Sequence, residues 1–298
     1  MTSLILNSRS INTSKEGSHR NSNVDLDSDD FSRMANLLYE KSGILLTPVK
    51  KTLLEGRIRK RLVSLGFSNA HEYCEYLLSK QGQHEELESF INVLTTNKTD
   101  FMREYGHFQY LLEHGIPQLL KERKHLRFWS AACSRGAEPY TLAMVLQEYL
   151  RLNPNCGMTY QILATDISTK VLQEAILAIY AEEEIHPVPV EWRSRYLLRG
   201  RSHRKEQVRI VPEIRAMVEF VHLNLLDSFP WNNLIDVVFC RNVTIYFDRE
   251  TQNRLVRKFL NSMYPDGLLI MGHSESLDMQ VNPIRLCAPS IYQRSQGA

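Results

Sequence analysis

The spacing of apolar residues changes character part-way along the chain. Between residues 28 and 94 they recur every three to four positions, as in Phe31, Met34, Leu37 and Leu38, or Tyr73, Tyr76 and Leu77. That is the period of helices with one buried face. Four helices are predicted. Ser28-Asp29-Asp30 supplies the N-cap and first-turn acids of the first, and Gly43 closes it. The second runs from near Pro48 to Leu65, before Gly66; Ser68 caps the third; the fourth covers about 84–94. Further on the pattern becomes short apolar runs of strand length at 126–132, 160–166, 218–224 and 234–240. Helical stripes follow two of them: Leu142, Val145, Leu146 and Tyr149, then Leu255, Phe259 and Leu260. Alternation of strand and helix predicts a doubly wound, mostly parallel α/β sheet over 95–298, behind a small all-helical domain over 28–94. The run at 234–240 is the most apolar and is placed centrally. Residues 186–215, with Pro187, Pro189, Gly200 and Pro212, break the rhythm and read as a small β insertion. Pro265-Asp266-Gly267 reads as a tight turn into 268–271, and a last strand lies near 290–293. Residues 1–27 are rich in Ser, Asn, Asp and Lys and read as a disordered tail.

Composition narrows the class. Hydrophobic residues make up 43% and charged residues 23% of 298, as in soluble globular proteins. No apolar run approaches the ~18 residues of a membrane span, and the N-terminus lacks the apolar core of a signal peptide. Cysteines at 74, 133, 156, 240 and 287 show neither metal nor redox spacing, and their odd number argues against a disulfide framework. A cytoplasmic protein without a metal is expected. The net charge of +2 names no partner. One stretch does: Lys50, Lys51, Arg57, Arg59, Lys60 and Arg61 face only Glu55 as a balancing acid. This second helix reads as an electrostatic docking surface for an acidic partner, nucleic acid being one such partner. A second basic cluster holds Arg199, Arg201, Arg204, Lys205 and Arg209.

In open α/β sheets, ligands bind beyond the carboxyl ends of the strands. The first strand ends in Ser134-Arg135-Gly136, turn chemistry, and Pro139 suits the first turn of the helix that follows. The second ends in Asp166, with Ser168 as the next helix cap. An acid at that place commonly holds ribose hydroxyls, whereas the missing G-x-G-x-x-G disfavours a dinucleotide and a nicotinamide dehydrogenase.

Four segments carry the reading further: Thr96-Asn97-Lys98-Thr99-Asp100-Phe101-Met102-Arg103-Glu104, Ser130-Ala131-Ala132-Cys133-Ser134-Arg135-Gly136-Ala137-Glu138-Pro139-Tyr140, Ala164-Thr165-Asp166-Ile167, and Phe239-Cys240-Arg241-Asn242-Val243-Thr244-Ile245-Tyr246-Phe247-Asp248. In this order and spacing they resemble the chemotaxis receptor methyltransferase (CheR) family, over about residues 28–295. The resemblance implies an enzyme that uses S-adenosylmethionine to methylate glutamate carboxylates on the cytoplasmic helices of chemoreceptors, recruited to receptor arrays in the membrane without inserting into it. It implies that Asn97, Thr99 and Arg103 line the cofactor site, with Arg103 also near the methyl acceptor. Glu138 would meet the cofactor's amino group and Asp166 its ribose, Asn224 and Leu225 would border the adenine, Arg241 and Asn242 would close the pocket, and Tyr246 would sit beside the transferred methyl. The basic helix, through Arg57, Arg59, Lys60 and Arg61, would face acidic receptor helices, which removes the need for nucleic acid. This chain departs from the family at Arg135, where a small or hydroxyl residue is usual, at Ala137, where an acid is usual, and at Met102, where Phe is usual. The glycines that follow Arg-Gly in members binding a receptor's C-terminal tether peptide are absent after Arg199-Gly200, which argues against tether binding. A catalytically silent homologue that senses cofactor or docks to receptors is the alternative.

Overall fold

The computed structural model describes residues 24–231 and 233–295. The first part is helical: α1 (Ser28–Ser42), one 3-10 turn at Pro48–Lys50, then α2 (Lys51–Leu65), α3 (Ala70–Leu78), α4 (Lys80–Glu85) and α5 (Leu87–Leu94). Both predicted caps move by one residue. Asp27, in extended backbone, accepts from the Asp30 N–H at 2.7 Å, and Asn69 accepts from the Glu72 N–H at 2.9 Å. The predicted helix over 84–94 is two helices meeting at Glu86, a buried acid that accepts from Arg61 and Tyr73. Gly43 closes α1 in the left-handed region, φ 74°. The expected tail over 1–27 is too long: Val24 and Leu26 are buried in the helical core. Residues 1–23 lie outside the described residues.

After residue 105 come α6 (Gly106–Tyr110), a π turn at Leu111–Gly115 and α7 (Ile116–Glu122), then β1 (His125–Ala131), α8 (Ala137–Leu152), β2 (Thr159–Asp166) and α9 (Thr169–Leu177). The insertion follows: β3 (Ile179–Ala181), α10 (Val190–Tyr196), β4 (Leu197–Arg199), β5 (Gln207–Ile210) and α11 (Pro212–Arg215). It starts at Ile179 rather than near 186, because β3 follows α9 directly and pairs antiparallel with β5, giving the order β3-β5-β4. The chain ends with β6 (Val218–His222), β7 (Ile235–Cys240), α12 (Arg249–Asn261), β8 (Met263–Met271), β9 (Ile284–Ala288) and β10 (Ile291–Arg294).

The main sheet has the order β6-β2-β1-β7-β8-β10-β9, parallel from β6 to β8 and antiparallel at β10 and β9. β7 is the middle strand and every one of its residues is buried, as its apolar run demands. Pro265-Asp266-Gly267 is no turn. β8 runs through it, and the register with β7 jumps from Ile235↔Met263 to Val237↔Leu268. The chain moves from β1 outward to β2 and β6, then returns across β1 to β7. The strand order therefore reverses between β1 and β7, where such sheets open a ligand crevice. Apolar cores cover both sheet faces, and the helical part has its own. The two parts are joined close to that crevice. Tyr39 Oη donates to Asp248 Oδ2 at 2.6 Å, the Leu45 N–H to the Tyr246 carbonyl at 2.9 Å, and Asn224 Nδ2 to the Lys41 carbonyl at 2.7 Å. Among the described residues no helix is long and apolar enough to cross a membrane.

Candidate active site

The turn after β1 is wound tightly by three residues with left-handed backbone: Ala132 (φ 61°), Ser134 (φ 51°) and Gly136 (φ 89°). A side chain at Gly136 would meet Ala175 Cβ at 3.0 Å and Tyr180 Oη at 3.1 Å in addition to the unfavourable φ, so only glycine fits. The Cys133 N–H donates to the Thr165 carbonyl at 2.8 Å and fastens the turn to the end of β2. Asp166 sits there, buried. Its Oδ2 accepts from the Ser134 N–H at 2.8 Å and its Oδ1 from the Ser168 N–H at 2.9 Å. A carboxylate has about four acceptor sites, so acceptor capacity is left for a ligand hydroxyl. Burial pushes the Asp166 carboxyl up, and the Ser168 and Ser134 amides oppose it.

Glu138 enters from the first turn of α8. Ser130 Oγ donates to its Oε1 at 2.6 Å and Arg241 Nη1 to its Oε2 at 3.2 Å. Burial raises its pKa, with Arg241 and Ser130 acting the other way. Arg241 itself is 3% exposed and spent on protein partners: Glu138, Glu104 at 3.3 Å and the Arg103 carbonyl. Burial works to raise the Glu104 carboxyl too, but Arg241, His273 and His107 together hold it below its ordinary value. Arg103 is different. Its side chain is 36% exposed and, among the described residues, its guanidinium reaches only the Lys98 carbonyl, at 3.4 Å, and Glu104, at 4.0 Å.

The 241–244 loop after β7 hangs on a residue that the sequence reading did not single out. Glu275 is buried. Its Oε2 accepts the N–H groups of Asn242 and Gly272, each at 2.7 Å, and its Oε1 those of Val243 at 2.9 Å and Thr244 at 2.7 Å. Asn242 is held at φ 61°. A Cβ on Gly272 would meet Asn242 Nδ2 at 2.7 Å and Glu275 Oε2 at 2.8 Å, so the approach needs glycine. The signal was present: Gly272-His273-Ser274-Glu275 follows β8 at the same carboxyl edge that drew attention to Asp166.

One cavity collects these elements. Asn97, Thr99, Arg103, Glu138, Asp166, Asn224, Leu225, Arg241, Asn242 and Tyr246 all line it, with Ser42, Ile44 and Leu94 from the helical part. The side-chain amide of Asn224 is already committed: besides the bond to Lys41, its Oδ1 accepts from the Leu226 N–H at 3.0 Å. Cys133 and Cys240 are buried near the cavity, and burial pushes both thiols far up, which leaves no thiolate nucleophile there. Arg135 does not line the cavity. It pairs outward with Glu174 at 2.8 Å and Glu184 at 2.7 Å. Met102 lies beneath, at φ 58°, its N–H donating to Thr141 Oγ1 at 3.2 Å.

The basic helix is divided by its own period. Leu54, Ile58 and Leu62 are buried, and Arg57 and Arg61 lie along that inward side. Arg61 grips buried Glu86 with two donors, 2.7 and 2.5 Å, and Arg57 caps the end of α5. Of the four predicted docking residues, Arg59 and Lys60 are exposed, and Arg57 and Arg61 are half-buried.

A family model described as CheR methyltransferase, SAM binding domain, matches residues 97–292, and one described as CheR methyltransferase, all-alpha domain, matches residues 29–95. The chain belongs to the CheR methyltransferase family. A chemotaxis protein methyltransferase of Borreliella burgdorferi is 38% identical over 281 residues, 92% of this chain and 97% of its own. Proteins of the same description from Salmonella typhimurium and Escherichia coli are each 37% identical, covering 89% of this chain and 90% and 91% of theirs. The chain is thus an S-adenosylmethionine-dependent methyltransferase of chemotaxis, with the mostly parallel sheet and all-α part that the alternation of strand and helix predicts.

Proposed function

We propose that the chain esterifies glutamate side chains on the cytoplasmic helices of chemoreceptors, with the cavity at the β1–β7 crevice as the cofactor site. The residues present fit the cofactor. Glu138 offers a carboxylate to its ammonium group, Asp166 has acceptor sites left for a ribose diol, and Leu225 and Ile44 supply apolar wall. Bound there, S-adenosylmethionine supplies a methyl group already activated by a sulfonium. A glutamate acceptor, with an ordinary pKa of about 4.3, is ionised at neutral pH and needs no general base. The protein's task is to align a carboxylate oxygen and keep water out, and positioning of this kind supplies roughly 7–11 kcal/mol.

The observation that carries this reading is the contrast between the two arginines of the site. Arg241 is buried and used up, so it builds the pocket. Arg103 stands at the rim with its planar donor fork nearly free, suited to orient an incoming carboxylate. Tyr246 lines the same cavity and would close the wall beside the transferred methyl. Arg59 and Lys60 are exposed on α2, where they would meet acidic receptor helices and bring the protein to receptor arrays. The test is Arg103→Ala. It should keep S-adenosylhomocysteine affinity within about threefold and lower turnover on receptor fragments by about 100-fold or more, roughly 2.7 kcal/mol of transition-state stabilisation. Loss of product binding in place of turnover would move Arg103 from acceptor orientation to the cofactor pocket.

A further inference from the structure

Arg57 lies in the middle of the basic helix, yet its guanidinium points into the protein. Nη1 donates to the carbonyls of Val93 at 3.2 Å, Leu94 at 2.6 Å and Thr95 at 2.8 Å, and Nη2 to Thr96 Oγ1 at 3.1 Å. The last carbonyls of a helix have no intrahelical donor, and a cation there also meets the negative end of the helix dipole. Beyond α5 the chain turns extended at Thr95 (φ −65°, ψ 143°) and becomes the cavity rim. Leu94, Thr95, Thr96, Asn97, Lys98 and Thr99 all line the cavity. From the sheet side Ser134 Oγ donates to the Asn97 carbonyl at 2.8 Å, while the Ser134 N–H donates to Asp166. The rim is therefore held at two points, by Arg57 from the helical part and by Ser134 from the β1 turn. A polar path runs from α2 through Thr96 and Asn97 to Asp166.

We infer that Arg57 is a positioning residue of the cofactor site: it sets the rim at Thr95 and Thr96, so cofactor affinity depends on a side chain of the helix that also carries the exposed bases Arg59 and Lys60. The inference rests on the cavity being the cofactor site. Arg57 thereby leaves the group of docking residues, and α2 serves two tasks on its two sides. Lysine cannot replace it fully, because a single ammonium does not span four acceptors that a guanidinium fork reaches.

The test is calorimetric binding of S-adenosylhomocysteine to the full chain, with KM for a receptor cytoplasmic fragment measured alongside. Arg57→Ala should weaken S-adenosylhomocysteine binding about tenfold, equivalent to about 1.4 kcal/mol. Arg57→Lys should recover part of that loss, and Thr96→Val, which removes one acceptor, should weaken binding two- to threefold, on the order of one hydrogen bond. The double variant Arg59→Ala/Lys60→Ala should leave S-adenosylhomocysteine binding unchanged and raise receptor KM. If Arg57→Ala binds S-adenosylhomocysteine within twofold of the parent and raises receptor KM, Arg57 is a docking residue and the inference fails. Should Arg57→Ala lose its helical circular dichroism, Arg57→Lys and Thr96→Val decide: unchanged affinity in both overturns it. Asp166→Ala separates the two levels, since unchanged binding in that variant would remove the cofactor-site assignment itself and not merely the role of Arg57.

Discussion

Replacing Glu138 by glutamine changes charge with almost no change of shape. In the parent, Oε1 and Oε2 accept from Ser130 and Arg241. The carbonyl of the substituted amide can keep one of these bonds, and the Ser130 hydroxyl can rotate to accept from its NH2 group. Arg241 retains Glu104. What disappears is the carboxylate that the proposed site offers to the cofactor's ammonium. A hydrogen bond between charged groups contributes about 1.5–3 kcal/mol, so S-adenosylhomocysteine should bind roughly 10- to 150-fold more weakly at pH 7.5. Stability should move the other way or not at all. Burial raises the Glu138 carboxyl above its unfolded value, with Arg241 and Ser130 only partly opposing. A carboxyl whose folded pKa is raised favours the fold at low pH and loses that contribution as pH rises, so at neutral pH its charge is a cost that Glu138→Gln removes. Paired calorimetry and urea denaturation of the cofactor-free protein read both quantities. Affinity in the parent should also fall on acidification, as Glu138 takes up a proton, and that component should vanish in the variant. Parent-like affinity in Glu138→Gln would refute the electrostatic role. A large loss of stability without loss of affinity would show that the carboxylate serves the fold instead.

Three further outcomes follow from the same geometry. Asp166→Ala removes both the proposed diol acceptor and the anchor of the Ser134 turn; binding should weaken at least 30-fold, about 2 kcal/mol from two hydrogen bonds, and unchanged calorimetric affinity would contradict the ribose assignment. Burial, then Arg241, pulls His107 down to about 4 from 6.5. The unfolded chain takes the proton first, so stability from this residue is present above pH 6.5 and is lost as pH falls towards 4, by at most about 3.4 kcal/mol. Urea midpoints at pH 7 and pH 5 should differ less in His107→Phe than in the parent, and an equal difference would remove His107 from the account. Arg123 pairs with Asp236, which is fully buried in the central strand, and with Asp266. Arg123→Ala strands the Asp236 charge and should cost about 3–5 kcal/mol in urea denaturation; a cost below about 1 kcal/mol would mean that Asp236 accommodates without it.

The sequence made the sheet and the ligand edge legible because strand ends carry their chemistry in consecutive residues. Asp166 with Ser168, and Arg241 with Asn242, sit next to the apolar runs that place them. Elements whose logic is non-local were not legible. Glu275 acts on a loop more than thirty residues away, and nothing near it announces that partner. Arg57 and Arg61 look like surface charge until Glu86 and the end of α5 are known to lie behind them. Residues 106–122 form a helix interrupted by a π turn, which breaks the 3.6 period that reveals helices. The bulge at Pro265-Asp266-Gly267 has the composition of a turn, and pairing with β7 overrides it. Strand β9 is short and half exposed at the sheet edge, where alternation is faint.

Methyl transfer to a carboxylate is read by incubating the protein with methyl-labelled S-adenosylmethionine and chemoreceptor-containing membranes, then treating the receptor with alkali. Label on the receptor that alkali releases as methanol is expected, with no release from receptors whose acceptor glutamates are replaced by alanine. Label that resists alkali would contradict it, because a methyl on nitrogen or on a thioether is not hydrolysed and the acceptor would then not be a carboxylate.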